Sequence, residues 1–480
     1  RASPRSLRGL RLIRSHPKEQ PLTQEDLTLL GLLRLDMIGT MAVTPKGEPG
    51  LLSLAHLNPP SPQGELYTLL KPTLVHQCPV NFDTFIRELE ADLQRQSGSH
   101  TMAQKPTAIL VSASPQNKAD QEERLVELAE LASSADLTVI DRLVQRTQSG
   151  HHRFQLGSGK LKDVLMHAMQ KGADLLIFDQ DLAPAQLRAI DEITDLTVID
   201  RTQLILDIFA QRAHSREGKV QVELAQLRYL LPRLSGQGVS LSRLGGGIGS
   251  RGPGETKLET DRRRIRERID HLEREIEAFA RHQDQRRSRR VRQAFPVLSI
   301  VGYTNAGKST LLNVLTNSEV STAPRVFETL DTTSRRLHFP HGREVILTDT
   351  VGFIRDLPKD LVAAFRTTLD EMRDADLLLH VVDAGAKDLA AHIASVETVL
   401  QSLALDQIPR VLVFNKCDQL PAGQAEVLCR RYAAIGISAL QPETLPPLLR
   451  HLEERLADLV PLDGSSKKLT TQGPTLASRP

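Results

Sequence analysis

The chain of 480 residues contains no tryptophan, and aromatic side chains make up only 3% of it. So few large rings leave little means of gripping single nucleic-acid strands by stacking. Its three cysteines, Cys78, Cys417 and Cys429, are odd in number and lack metal-type spacing. That excludes a disulfide scaffold and a zinc site and points to a reducing compartment, the cytoplasm. No apolar run can cross a bilayer, since the best, residues 29–43, is broken by Arg34 and Asp36. The chain opens at Arg1 and not at methionine, so a missing N-terminus is expected. Its basic opening lacks the apolar core and cleavage site of a secretory signal, and neither a lipidation box nor a strongly amphipathic terminal helix supplies a membrane anchor. The net charge of +2 is near balance, so attraction to a polyanion has to come from local patches.

What is present is a globular composition, 40% hydrophobic and 25% charged, at a length that calls for several domains. Residues 297–301 are a short apolar run dense in β-branched side chains. Gly302-Tyr303-Thr304-Asn305-Ala306-Gly307-Lys308-Ser309 follows with the spacing G-x-x-x-x-G-K-S. Glycines at 302 and 307 permit backbone angles closed to other residues, so successive N–H groups can turn inward around phosphate oxygens. The apolar helix marked by Leu311, Leu312, Val314 and Leu315 would present its positive end there. Lys308 is suited to the β and γ phosphates and Ser309 to Mg²⁺. A purely structural glycine turn would require neither the strand nor the helix, so nucleotide binding is expected.

The other parts of a guanine-nucleotide switch follow in order. A strand at 345–348 delivers Asp349-Thr350-Val351-Gly352, a D-x-x-G whose carboxylate can hold the Mg²⁺ shell and whose glycine N–H can meet the γ-phosphate. A strand at 411–414 leads into Asn415-Lys416-Cys417-Asp418. Asp418 can accept hydrogen bonds from guanine N1–H and the 2-amino group; adenine offers neither donor and would leave the carboxylate unpaired, so GTP is expected over ATP. Ser438-Ala439 fits the last base-binding turn. The Mg²⁺-binding threonine of the first switch is expected within Phe327-Glu328-Thr329-Leu330-Asp331-Thr332-Thr333, where three threonines compete and composition does not choose. Phe353 stands just after D-x-x-G, where several related switches carry a water-positioning glutamine. Slow intrinsic turnover, accelerated by a partner, is therefore expected.

Residues 1–100 read as an accessory extension with a helix near 24–35 and a hairpin turning at Pro45-Lys46-Gly47, and 96–106 as a linker. Residues 107–212 alternate short apolar strands (108–111, 137–141, 175–179, 196–200) with helices (120–132, 161–170, 185–192), the pattern of a parallel sheet covered on both faces. The near repeat LTVIDR at 137 and 196 is explained as well by strand composition as by duplication. Gly157-Ser158-Gly159-Lys160 fails as a second phosphate loop because Phe154 occupies the first glycine position, and it reads as a glycine turn opening a helix.

Within 213–293, Val220, Leu224, Leu227 and Leu231 form one heptad seam, and Ile265, Ile269, Leu272, Ile276 and Phe279 another. The economical solution is an antiparallel hairpin, the first helix ending at Pro232 and residues 234–256 forming a glycine-rich tip with Arg243 and Arg251. That tip is either a floppy linker or a finger that orders against a polyanion. Arg262, Arg263, Arg264, Arg266 and Arg268, then Arg286, Arg287, Arg289, Arg290 and Arg292, exceed what Glu267, Asp270, Glu273 and Glu275 can compensate along the helix, so phosphate contact is preferred to a merely solvated face. Residues 294–460 form the nucleotide domain and 461–480 a tail poor in apolar residues, expected to be disordered. The fold class is multidomain α/β: a parallel α/β N-terminal domain, an antiparallel helical hairpin and a P-loop GTPase domain.

The segments QVELAQLRYLLPRLSGQG, GGGIGSRGPGE and DRRRIRERI, with GYTNAGKST, FETLD, DTVGF and NKCD, resemble the HflX family of GTPases, relatives of the Obg group, over roughly 107–456. The resemblance implies a Mg²⁺-dependent GTPase that cycles between GTP and GDP, binds the large ribosomal subunit and splits ribosomes, with the glycine-rich finger directed toward the peptidyl transferase centre. It implies Thr329 as the first-switch ligand, so that Ser309 and Thr329 would hold the metal and Lys308, Thr329 and Gly352 would act in catalysis. The first hundred residues exceed the usual family core, and an ATP site or RNA unwinding in the N-terminal domain is left open. A subunit-assembly factor is the nearest rival. A tRNA-modifying enzyme would need a catalytic cysteine or another cofactor domain, and the cysteine pattern offers neither. The sequence is silent on oligomeric state, with a monomer as the default.

Overall fold

Among the described residues the chain is organised by three β-sheets, each built on a strand that the sequence makes apolar enough to bury. A computed structural model describes residues 7, 9–18, 20–58, 66–78, 81–98, 105–147, 154–194, 196–234, 253–293, 295–316, 326–327, 333–350, 352–356, 358, 361 and 371–459, with the backbone alone at 93–98, 253–258, 280, 282–293 and 371. Two compact units result, Arg1–Glu275 and Ile276–Pro480.

In the first unit, β1 (Arg11–His16), β2 (Met37–Val43), β3 (Pro49–Leu57) and β4 (Tyr67–Leu69) lie in that order, with β5 (Thr73–Leu74) also on β3. The expected hairpin is the β2–β3 pair, closed by a turn in which Gly47 N–H donates to Thr44 O at 2.8 Å. The helix Gln24–Leu32 is opened by a capping box between Thr23 and Asp26. It packs so closely on the helix Ser158–Lys171 that a Cβ at Gly31 would lie 2.7 Å from Met166 Sδ. The expected linker is partly helical, because the helix Phe82–Gly98 runs through residues 96–98.

The second sheet, ordered β7 (Thr138–Arg146), β6 (Thr107–Ser114), β8 (Leu175–Phe178), β9 (Thr197–Asp200), is parallel throughout. Strand β6 is buried almost end to end, as a central parallel strand must be. Strand β7 runs five residues beyond the expected stretch, because as an edge strand it keeps pairing with β6 up to Arg146 while exposing polar side chains. Phe154, the residue that spoils a second phosphate loop, is buried in this core, and Gly157 is the N-cap of the helix that follows.

The first hairpin helix, Arg216–Leu234, continues past Pro232 instead of ending there. The Tyr229 carbonyl in this last turn accepts from the Arg233 Nη1 at 2.9 Å. Its partner starts at Pro253, so the last residues assigned to the tip are already helical, with proline at a first-turn position that has no hydrogen bond to lose. Arg216 pairs with Glu275 at 2.7 Å, and Arg268 makes a two-pronged contact with Glu223 at 2.7 and 2.8 Å, which sets the helices antiparallel. Arg228 meets Glu273 at 2.6 Å. Two of the acidic residues expected to pair along the helix thus pair across it. The tip at 235–252, the side chains of Arg286, Arg287, Arg289, Arg290 and Arg292, and the tail at 461–480 lie outside the described residues.

The heptad seam is only one buried face of the first hairpin helix. Val222, Ala225 and Tyr229 are buried too, and Tyr229 OH donates to Asp200 Oδ1 at 2.6 Å. Asp200 also accepts from Leu182 N, Gln203 N and Arg233 Nη2 at 3.1, 2.9 and 3.2 Å. Burial and that carboxylate hold the phenol protonated, far above its usual range. Replacing Tyr229 with Phe should cost about 1–3 kcal/mol, the worth of a buried bond to a charged acceptor, and Asp200→Ala clearly more, measured by denaturant unfolding of the full chain.

The second unit carries a sheet ordered β11 (Thr333–His338), β12 (Glu344–Asp349), β10 (Val297–Gly302), β13 (Leu377–Asp383), β14 (Arg410–Asn415), β15 (Ile435–Gly436). All pairs are parallel except β11–β12. The chain reverses direction of travel across the sheet at β10, and the crevice at the carboxyl end of such a strand is where α/β sheets bind ligands.

Candidate functional site

The phosphate loop leaves β10 at Gly302, whose φ of 155° suits glycine. A Cβ there would lie 2.1 Å from Val381 O on β13. Gly307 has φ 87°, and a Cβ would lie 2.3 Å from Asn415 Nδ2. Both glycines therefore answer to neighbouring strands as well as to any phosphate. Asn305 adopts φ 60° between them, a left-handed conformation that asparagine tolerates better than most residues.

Lys308 opens the helix Lys308–Thr316, is 6% exposed, and donates to Tyr303 O at 2.7 Å. Burial pushes its ammonium down to about 8, with Asp349 opposing. Ser309 Oγ donates to Asp349 Oδ2 at 2.7 Å, and Asp349 is fully buried at the end of β12. Thr350 is buried and donates to Ile300 O at 2.6 Å. Gly352 sits over the loop: a Cβ would be 2.9 Å from Thr304 Cγ2 and 3.0 Å from Lys308 Nζ. A backbone bridge joins the loop to the segment after it, with Thr304 N–H donating to Phe353 O at 2.8 Å and Phe353 N–H to Gly302 O at 3.1 Å.

The base-side motifs meet the loop through one side chain. Asn415 Nδ2 donates to Ala306 O at 2.8 Å, and its Oδ1 accepts from Ala439 N at 2.9 Å. Ser438 N–H donates to Thr444 Oγ1 at 2.9 Å, and Cys417 N–H to Ile437 O at 3.1 Å, which fixes the turn beside N-K-x-D. Lys416 has φ 62° and its ammonium lies 2.6 Å from Asp383 Oδ2. Asp418 is exposed and hydrogen-bonds no described residue. Phe327 is buried with φ 58°. Glu328, Thr329, Leu330, Asp331, Thr332 and Val351 lie outside the described residues.

Asp383, His380 and Thr444 are parts of this arrangement that sequence reasoning missed. Asp383 had a signal, as the acidic end of a buried strand beside the one bearing N-K-x-D. His380 had none, being hidden in the apolar run LLLHVVD.

Three family models match in order: one described as GTP-binding GTPase N-terminal over residues 122–210, one as GTP-binding GTPase Middle Region over 212–290, and one as 50S ribosome-binding GTPase over 297–416. The GTPase HflX of Caldanaerobacter subterraneus subsp. tengcongensis is 49% identical over 357 residues, 73% of this chain and 81% of that protein. The chain belongs to the HflX family of GTPases. Other HflX proteins agree: that of Alkalihalophilus pseudofirmus is 50% identical over 72% of this chain and 81% of its own, and that of Escherichia coli 44% over 70% and 79%. A GTP-binding protein from Sulfolobus solfataricus in complex with GDP aligns with 72% of this chain and 99% of its own, at 25% identity and a TM-score of 0.40. This HflX-family chain is thus a GTPase, and among the described residues no helix is long and apolar enough to cross a membrane.

His380 gives the GTPase unit a pH dependence of its own. Burial, with Arg410 and Lys308 adding positive charge, lowers it from 6.5 to about 3, and its Nε2 has no hydrogen-bond partner among the described residues. Between those values the unfolded chain binds a proton that the folded one refuses, so stability falls as pH drops through 6.5 toward 3. His380→Leu should flatten that acid-side slope in denaturation midpoints measured from pH 7 to 4.

Proposed function

We propose that this HflX-family GTPase binds the large ribosomal subunit and uses its nucleotide state to dissociate or rescue ribosomes. The observation that carries the proposal is the match of residues 297–416 to a family described as a 50S ribosome-binding GTPase. The hairpin supports it. Arg263, Arg264 and Arg266 contact acidic neighbours only at 3.6, 3.7 and 3.8 Å and are more than half exposed. Exposed pairs of that kind contribute little and exchange readily for phosphate.

Gly302, Tyr303, Thr304, Asn305, Ala306 and Gly307 line the phosphates with backbone, and Lys308 neutralises the β and γ oxygens. Phe327, Glu328, Leu330 and Asp331 flank the first switch, and Thr350, Val351 and Gly352 form the second. Gly352 offers its N–H to the γ-phosphate. Asn415 ties base to phosphate, Lys416 and Cys417 shape the base pocket with Ser438 and Ala439, and Asp418 selects guanine. Ser309 and Asp349 present hard oxygen donors 2.7 Å apart in a partly buried setting, a donor set that suits Mg²⁺. Ser309 and Thr329 would bind the ion directly and Asp349 would hold its shell. Bound there, the ion would neutralise charge on the β and γ oxygens. In hydrolysis, water attacks the γ-phosphorus in line as its bond to the β–γ bridging oxygen breaks, giving GDP and phosphate. Phe353 cannot orient that water, so turnover depends on a partner that orders the switches.

An assembly factor would share the binding and differ in outcome, since only a splitting factor separates intact ribosomes. A thiol-based modifying enzyme is disfavoured, because burial, with Cys429 nearby, pushes Cys417 up to about 11 and leaves a neutral thiol. Sedimentation of intact ribosomes with the full chain should show subunits with GTP or a non-hydrolysable analogue and none with GDP. Large subunits should raise hydrolysis on the order of tenfold or more, as partner-ordered switches do. Intact ribosomes under all conditions, or dissociation surviving Lys308→Ala after nucleotide binding is lost, would overturn the proposal. Asp418→Ala should weaken GTP roughly tenfold or more and shrink its preference over ATP, read by competition binding.

A further inference from the structure

With phenylalanine after the switch glycine, no side chain at that position can orient the attacking water, so the backbone donors of the switch matter more, and a backbone donor is as effective as its placement. The placement of residues 352–355 rests on more than the backbone bridge. Tyr303 OH accepts the Arg355 N–H at 2.7 Å. The Tyr303 ring lies flat on His392, with centroids 4.1 Å apart and planes 4° from parallel. The Arg355 guanidinium reaches Asp388 Oδ2 at 3.6 Å. Asp388 and His392 belong to one helical turn: Asp388 is the N-cap of the helix Leu389–Ser402 and accepts the Ala391 N–H, and its carbonyl accepts the His392 N–H at 3.1 Å. That helix is anchored by the fully buried Val396 and Leu400. Phosphate loop, post-switch segment and helix therefore close a ring of contacts, with the Tyr303 phenol at its centre.

We infer that His392 is a positioning residue for GTP hydrolysis. Its imidazole pins the Tyr303 ring, the pinned phenol holds the Arg355 amide, and the Gly352 amide is thereby kept over the phosphate loop. Rotation of an unpinned Tyr303 about its first side-chain torsion would carry the hydroxyl away from Arg355 and leave the segment to the backbone bridge and the longer Arg355–Asp388 contact. Because His392 acts through Tyr303 and not on the nucleotide, it affects turnover and spares affinity. The inference uses only the GTPase activity of the chain and stands whether or not the ribosome is its partner.

The test measures GTP hydrolysis by the full chain without ribosomes, in single- and multiple-turnover form, alongside GTP and GDP affinities. His392→Ala should lower kcat about five- to tenfold, the worth of one well-placed hydrogen bond, with affinities held within about twofold. His392→Phe keeps a flat ring under the phenol and should recover most of kcat. Tyr303→Phe keeps the stack but loses the bond to Arg355, and should fall as far as His392→Ala. The double variant His392→Ala/Tyr303→Phe should fall no further, as expected of residues acting in one chain. An unchanged kcat in Tyr303→Phe or His392→Ala, a loss of affinity in step with kcat, or a His392→Phe as slow as His392→Ala would overturn the inference. Should His392→Ala fail to fold, Tyr303→Phe and His392→Phe decide it. Failure of ribosome dissociation would leave these rates untouched, so the two readings fail separately.

Discussion

The carboxamide of Asn415 is the constraint on which the nucleotide site depends. One end donates to a phosphate-loop carbonyl and the other accepts from the Ser438-Ala439 turn, so two segments more than a hundred residues apart in the chain take their spacing from one planar group. The carboxamide is buried, and each of these two bonds is one that water cannot replace cheaply. Its Nδ2 also occupies the space a side chain at 307 would need. The second glycine of G-x-x-x-x-G-K-S and the asparagine of N-K-x-D are thus two halves of a single packing requirement.

The same economy appears on the switch side. The contacts here are backbone against backbone: Gly352 rests over Thr304 and Lys308 with no room for a methyl group, and main-chain hydrogen bonds tie residues 302–304 to Phe353. Lys308 pays the electrostatic cost of that closeness. A buried ammonium whose proton affinity is already lowered gains most from an arriving polyphosphate, because the phosphate charge offsets the desolvation that depresses it.

The sequence made the nucleotide motifs and the alternating strands legible because local rules govern them: a G-x-x-x-x-G-K-S between an apolar strand and helix and short apolar runs at regular spacing carry their own reason. What escaped is set by tertiary partners. The helix Arg216–Leu234 passes Pro232, the acidic residues Glu273 and Glu275 reach across to the facing helix, and β7 extends through Arg142 and Gln145 because a long neighbour is available to pair with. His380 is the sharpest case. Inside a run of leucine and valine it carries no pattern of its own, and its charge state follows entirely from what surrounds it.

The hairpin shows why one seam was too few. Its first helix is held on two sides, by ion pairs to the facing helix and by the bonds of Tyr229 and Arg233 to Asp200 in the parallel sheet domain, and Val222 and Ala225 are buried beside Val220 and Leu224. Asp200 unites three jobs there: it caps the helix Arg201–Arg212, satisfies a loop amide at Leu182, and holds Tyr229 and Arg233 of the hairpin. A carboxylate with that many donors cannot shift for one partner without abandoning another, so the last turns of the first hairpin helix and the carboxyl edge of β9 must move together. Arg233, stacked 3.4 Å over the Tyr229 ring, closes the clamp within a few residues of the start of the glycine-rich segment. The last turn of the first hairpin helix is therefore held by a buried carboxylate and a stacked guanidinium at once, a restraint that ion pairs to the facing helix alone would not supply.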